Sequence, residues 1–165
     1  MNPHYRLLAQ RIRDELAEIE QTIAAVPRHW RRFQKARVDE DAFLNSVALN
    51  LHGFYSGVER ILELIALEVD GGTLGGEAWH AELLRQMTRA VSKVRPAVLS
   101  PRSGDWLDEY RKFRHRVRNI YATNLVPDRM KSLVEDLSPG WRRVREELLT
   151  FTAFLESVAE DDKGK

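Results

Sequence analysis

Residues 39–70 read DEDAFLNSVALNLHGFYSGVERILELIALEVD, and on a helix Phe43, Val47, Leu51, Phe54, Val58, Ile61 and Ile65 return to one face in steps of three and four. Asp39, Glu40 and Asp41 suit the positive end of a helix dipole, and Asp70-Gly71-Gly72 stops the run because glycine readily takes the left-handed conformation that closes a helix. An apolar stripe of this length must be covered by other elements, so this segment is expected to be the central helix of a helical fold.

Outward from it the same period repeats. Toward the N-terminus, Asn2 can cap a helix with Pro3 at its first position, and Tyr5, Leu8, Ile12, Leu16, Ile19, Ile23 and Val26 follow helical spacing. Pro27 is expected to end or reset that helix. The basic, aromatic stretch Arg28–Arg37 then carries Trp30 and Phe33 among Arg28, Arg31, Arg32, Lys35 and Arg37. Toward the C-terminus, Trp79, Leu83, Met87 and Val91 step by four along a third helix, which ends before the proline-marked connection Arg95–Pro101. A fourth helix carries Trp106, Tyr110, Phe113, Val117 and Ile120 and is expected to end near Leu125. Pro127 then starts a helix with Met130, Leu133 and Leu137, which Ser138-Pro139-Gly140 is expected to break or kink before Trp141, Val144, Leu148, Phe151, Leu155 and Val158 continue. No segment alternates as a strand does, and no repeat is evident.

Amphipathic helices with one stripe each bury those stripes together, so the expected fold is an all-α antiparallel bundle of about five main helices. Its 165 residues suffice for one domain, placed at 1–158, with 159–165 as a frayed polar tail. Lys and Arg total 26 against 25 for Asp and Glu, so affinity for nucleic acid would have to come from a local patch. The absence of cysteine excludes disulfides and thiolate chemistry. The N-terminus lacks the apolar run of a secretory signal. The uncharged stretch Phe43–Val58 is interrupted by Asn45, Ser46, Asn50, His52 and Ser56 and is too polar to span a bilayer, so a cytoplasmic protein without membrane contact is expected.

The chemistry concentrates in Arg111–Leu125. Five cations and His115 fall within eight residues, while Phe113, Val117 and Ile120 keep a buried edge. Steps of four and three place Arg114, Arg118 and Tyr121 together beside that edge. Arg111 and His115 lie further toward solvent on the same side, and Lys112, Arg116 and Asn119 point elsewhere. Guanidinium groups fork onto phosphate oxygens, and a histidine among them can move protons, which suits RNA cleavage. The same spacing also fits a solvated basic helix whose arginines pair with acids on neighbouring helices.

Arg114-His115-Arg116-Val117-Arg118-Asn119-Ile120-Tyr121 resembles the signature of HEPN domains, an arginine, four residues, a histidine, one residue and a tyrosine, and especially that of the HepT-like toxins. Leu51–Leu62 and Gly76–Leu84 are also similar to HepT-like relatives. The resemblance implies a HEPN-like bundle that forms a homodimer and cuts RNA in a basic cleft, with no metal ion or other cofactor. It also implies a nucleotidyltransferase antitoxin as partner, which in some such systems attaches AMP to the motif tyrosine, here Tyr121. Arg114 matches the motif arginine, but Asn119 stands where the motif has histidine. Asparagine hydrogen-bonds yet cannot take up and release a proton near neutral pH. The catalytic candidates are therefore Arg114 with His115 or Asn119 assisting, and Arg111 and Arg118 are the RNA-binding candidates. Glu59, on the line His52, Ser56, Glu59, Glu63 of the second helix, is a possible support to the arginines. The alternative is an inactive HEPN-like module that binds a nucleotidyltransferase or nucleic acid. Glu77 and His80, three apart at a helix start, fit capping better than metal binding, which needs more ligands.

Overall fold

The computed structural model describes residues 3–72, 75–118 and 124–161. Five helices follow in order: α1 (Pro3–Lys35), α2 (Glu40–Glu68), α3 (Trp79–Met87), α4 (Pro101–Arg118) and α5 (Pro127–Asp161). The described residues hold no strand beyond an isolated antiparallel bridge between Val91 and Arg95, and the fold is an all-α bundle.

The position of α2 follows from its composition. Leu51, Phe54, Tyr55, Val58, Ile61, Leu62, Ile65 and Ala66 are all fully buried, which is more than one stripe and requires neighbours on several sides. Those neighbours are α1, α3 and α4, while α5 packs on α1 and α4. The close approach of α1 uses Gly57, where an added Cβ would stand 2.8 Å from Ile19 Cγ1. At its start, Asp39 takes a left-handed conformation (φ 54°), and at its end Gly71 does the same (φ 89°). Among the described residues, no helix is long and apolar enough to cross a membrane.

Two expected breaks are absent. α1 runs through Pro27 and α5 runs through Pro139, each as one continuous helix. An interior proline costs about 3 kcal/mol, through its missing N–H and a ring clash with the preceding turn. Here the apolar spacing persists on both sides of each proline. Ile23, Val26 and Trp30 are buried, as are Leu137, Trp141 and Val144, and breaking either helix would expose one of these sets. Both prolines sit on the exposed face, where water can serve the carbonyl that lost its donor. Trp30 belongs to the core, with its ring 5.3 Å from that of Phe33.

The third helix is shorter than its pattern suggests. It stops at Met87, and Val91 lies in the following turn, where its N–H donates to the Arg95 carbonyl. The cause is Arg95, whose side chain is fully buried and captures the carbonyls of Gln86 and Arg89 that a longer helix would have used. The expected helix end near Leu125 follows residues 119–123, which lie outside the described part, and α4 is described to Arg118. α5 continues past the expected boundary at 158, since Ala159 is helical and buried.

Candidate functional site

Arg114 projects from α4 into the bundle and is almost wholly buried. Its Nη2 donates to both carboxylate oxygens of Glu59, at 2.8 and 3.0 Å, and its Nη1 donates to Ser56 Oγ at 3.2 Å. The guanidinium carbon lies 4.8 Å from the centre of the Tyr55 ring, close enough for a cation–π contact. Ser56 and Glu59 come from the polar line along α2, so that line is turned inward here and serves as the receiving face for the α4 arginine.

A further member is His80, from the first turn of α3. Its Nδ1 lies 2.8 Å from Glu59 Oε2 and 3.1 Å from Arg114 Nη2. The Trp79 ring stacks on it at 3.6 Å between centroids. His80 therefore does not cap α3; it joins α3 to the Arg114–Glu59 pair. Three helices thus meet at one carboxylate, with side-chain exposures of 8% for Arg114, 5% for Glu59 and 28% for His80. Burial removes water from the ion pair and makes each remaining hydrogen bond count for more.

Electrostatics spread from this cluster. Burial, then the Glu59 charge, pushes the Glu63 carboxyl above its usual range, against the opposing pull of His80, Arg114 and Arg60. Burial pushes the Tyr55 phenol up as well, and its hydroxyl finds no hydrogen-bond partner among the described residues. Burial, then the positive charges of Arg114 and Arg118, lowers His52 below the ordinary imidazole value.

The other cations of α4 diverge from Arg114. Arg111 pairs with Asp108 on its own helix and lines a cavity of about 420 Å³ with Leu84, Arg85 and Thr88. Arg118 is exposed and faces His52, Asn45 and Leu49 across a second cavity of about 320 Å³. His115 is exposed and lines a third, of about 390 Å³, with Arg116, Asn124 and Arg129 near the start of α5. The structure thus brings Arg114 and Glu59 together and directs Arg111, Arg118 and His115 to three different cavities. Asn119 and Tyr121 lie outside the described residues. Among the described residues, no group of three or more His, Asp or Glu side chains is placed to hold a metal ion.

Reading of the residues missed His80, Ser56 and Tyr55 as partners of Arg114. The inward line His52, Ser56, Glu59 was visible on α2, but nothing in the local pattern ties His80 to it across 21 residues.

No curated protein and no solved structure matches the chain. A family model described as HepT-like protein matches residues 46–155. That range contains Glu59, His80 and Arg114 and covers well over half of the sequence, so the chain belongs to the HepT-like protein family.

Proposed function

We propose that the chain is a HepT-like ribonuclease, the toxin of a toxin–antitoxin pair, that cuts RNA without a metal ion at a basic cleft where two copies meet. The observation that supports this reading is the buried cluster of Arg114, Glu59 and His80 at the matched position of the motif arginine. A desolvated charge with an imidazole at its open side is costly to hold in a fold, and such clusters concentrate at functional sites. Arg118 and Arg111, on the same helix, supply positive charge for the RNA backbone. In this reading Asn119 donates to a phosphate oxygen or a 2′-hydroxyl, and His115 contributes from its own cavity. Tyr121 accepts AMP from a nucleotidyltransferase antitoxin, placing bulky negative charge among the arginines.

The experiment is RNA cleavage by the purified protein against Arg114→Lys and Arg114→Ala, with folding followed by circular dichroism. Cleavage that falls in folded Arg114→Lys supports the site. Equal cleavage by all three proteins removes it.

A second reading, an inactive module that binds a nucleotidyltransferase or nucleic acid, is favoured by the depth of Arg114. With 8% of its side chain exposed and Glu59 already neutralising it, the guanidinium has little surface left for a phosphate. Asn119→His separates the two. A wild type that cuts RNA supports the first reading. A silent wild type that forms a stable complex with the neighbouring nucleotidyltransferase, and stays silent with Asn119→His, supports the second.

A further inference from the structure

We infer that His80 is the proton-transfer residue of the RNA-cleaving site, supplying from α3 the imidazole that Asn119 does not provide on α4. The inference rests on the ribonuclease reading and deepens it by assigning the base.

The geometry is that of an oriented imidazole. Glu59 is a buried carboxylate, fixed from one side by Arg114, and its Oε2 lies 2.8 Å from His80 Nδ1. Arg114 has only donors, and a neutral imidazole has one donor and one acceptor, so Nδ1 can serve only one of the two. The carboxylate is closer than the Arg114 nitrogen, at 2.8 against 3.1 Å, and it is charged, so Nδ1–H donates to Glu59. This leaves Nε2 as the basic nitrogen. A carboxylate that fixes the tautomer and a second ring nitrogen that takes the proton are the working parts of base–orienter pairs in hydrolytic sites.

Two further features fit the task. Trp79 lies against the ring, 3.6 Å between centroids with planes 29° apart, and narrows the rotations open to it. The His80 side chain retains 28% exposure while its two partners retain 8% and 5%, so of the three it is the one most open to solvent.

The step is transesterification. Nε2 takes the proton of a ribose 2′-hydroxyl, and the 2′-oxygen forms a bond to the adjacent phosphorus. The bond from phosphorus to the 5′-oxygen breaks, that oxygen leaves with a proton from water, and the hydroxide so formed takes the proton from Nε2, which restores the neutral imidazole. The products are a 2′,3′-cyclic phosphate and a 5′-hydroxyl, with no oxidant, metal or nucleotide consumed. Glu59 holds the ring while the imidazolium exists, and Arg114 holds Glu59 in place through both carboxylate oxygens. Glu59 and Arg114 are thus positioning residues, and His80 is the catalytic one.

The test uses the full chain with a fluorescein-labelled, mixed-sequence single-stranded oligoribonucleotide, comparing wild type, His80→Gln and His80→Ala. Glutamine keeps a donor for Glu59 but cannot cycle a proton, so cleavage by His80→Gln is expected to fall about 100-fold or more while oligonucleotide binding stays within about twofold. Added imidazole is expected to restore part of the rate to His80→Ala and none to Arg114→Ala, a pattern that a merely structural histidine would not produce. The cleaved ends should carry cyclic phosphate. Wild type that cuts together with His80→Gln that cuts equally well overturns the assignment of His80 and leaves the ribonuclease reading standing. Wild type that does not cut the oligonucleotide overturns both.

Discussion

Arg114 Nη2 lies 2.8 Å from one oxygen of Glu59 and 3.0 Å from the other, although 55 residues separate them in the chain. Each side chain satisfies the other in a place nearly closed to water. Removing one leaves a buried charge with no counterion, which costs about 3–5 kcal/mol. Glu59→Ala and Arg114→Ala are each expected to destabilise the fold by that amount in urea unfolding. The double variant should lose clearly less than the sum, because the second removal relieves the charge stranded by the first. Additive losses would mean that the two residues act separately.

Arg95 and Asp70 form another buried ion pair among the described residues, and its role is architectural. Arg95 Nε and Nη2 donate to the two Asp70 oxygens at 2.5 and 2.8 Å, while Nη1 donates to the carbonyls of Arg89 and Pro96 at 2.9 and 3.1 Å. This single guanidinium ties the turn after α3 to the end of α2. Arg95→Ala is expected to cost about 3–5 kcal/mol for the stranded Asp70. Arg95→Lys should recover only part of that, since one ammonium cannot reproduce a planar five-donor fork. A lysine variant as stable as wild type would refute this account of the turn.

Both pairs show where reading of the residues ends. The helices were legible because burial imposes a period, and the central place of α2 followed from the density of its apolar residues. Arg114 was legible as a motif position. Of its partners, Glu59 was singled out from its line on α2, but His80 was not, because it looks locally like one residue of a helix start and only the packing of three helices brings it to Glu59 and Arg114. Pro27 and Pro139 misled for a related reason. A proline signals a break locally, whereas buried side chains on both sides of it decide the outcome globally. The cations of α4 looked like one patch on a wheel, but neighbouring helices divide them among separate cavities.

His52 carries a pH signature. Burial and the charges of Arg114 and Arg118 hold its folded pKa below the ordinary 6.5. The unfolded chain therefore binds the proton more readily than the folded one. The stability linked to His52 is fully present above pH 6.5 and is lost as pH falls from there through the lowered folded value. NMR titration should place the His52 midpoint below 6.5, and Arg118→Ala should raise it part of the way back, since burial and Arg114 remain. A midpoint unmoved by Arg118→Ala would show that the Arg118 charge does not reach the ring.

Gly140 sets a steric limit on the joint between α4 and α5. In an ordinary helix interior, Gly→Ala gains about 1 kcal/mol through reduced backbone freedom in the unfolded chain. Here an added Cβ would stand 2.0 Å from Trp106 Cε2 and 2.3 Å from Cζ2, inside any permitted contact. The indole has little room to retreat, with the ring centres of Tyr110 and Phe54 at 4.8 and 5.8 Å. Overpacking of this kind costs about 1–3 kcal/mol or more, enough to cancel or exceed the helix gain, so Gly140→Ala is expected to lower the melting temperature. The cause is checked by repeating the substitution beside Trp106→Leu, where the smaller side chain frees the space. There Gly140→Ala should be neutral or stabilising, and an equal loss in both backgrounds would place the strain in the α5 backbone instead of against Trp106.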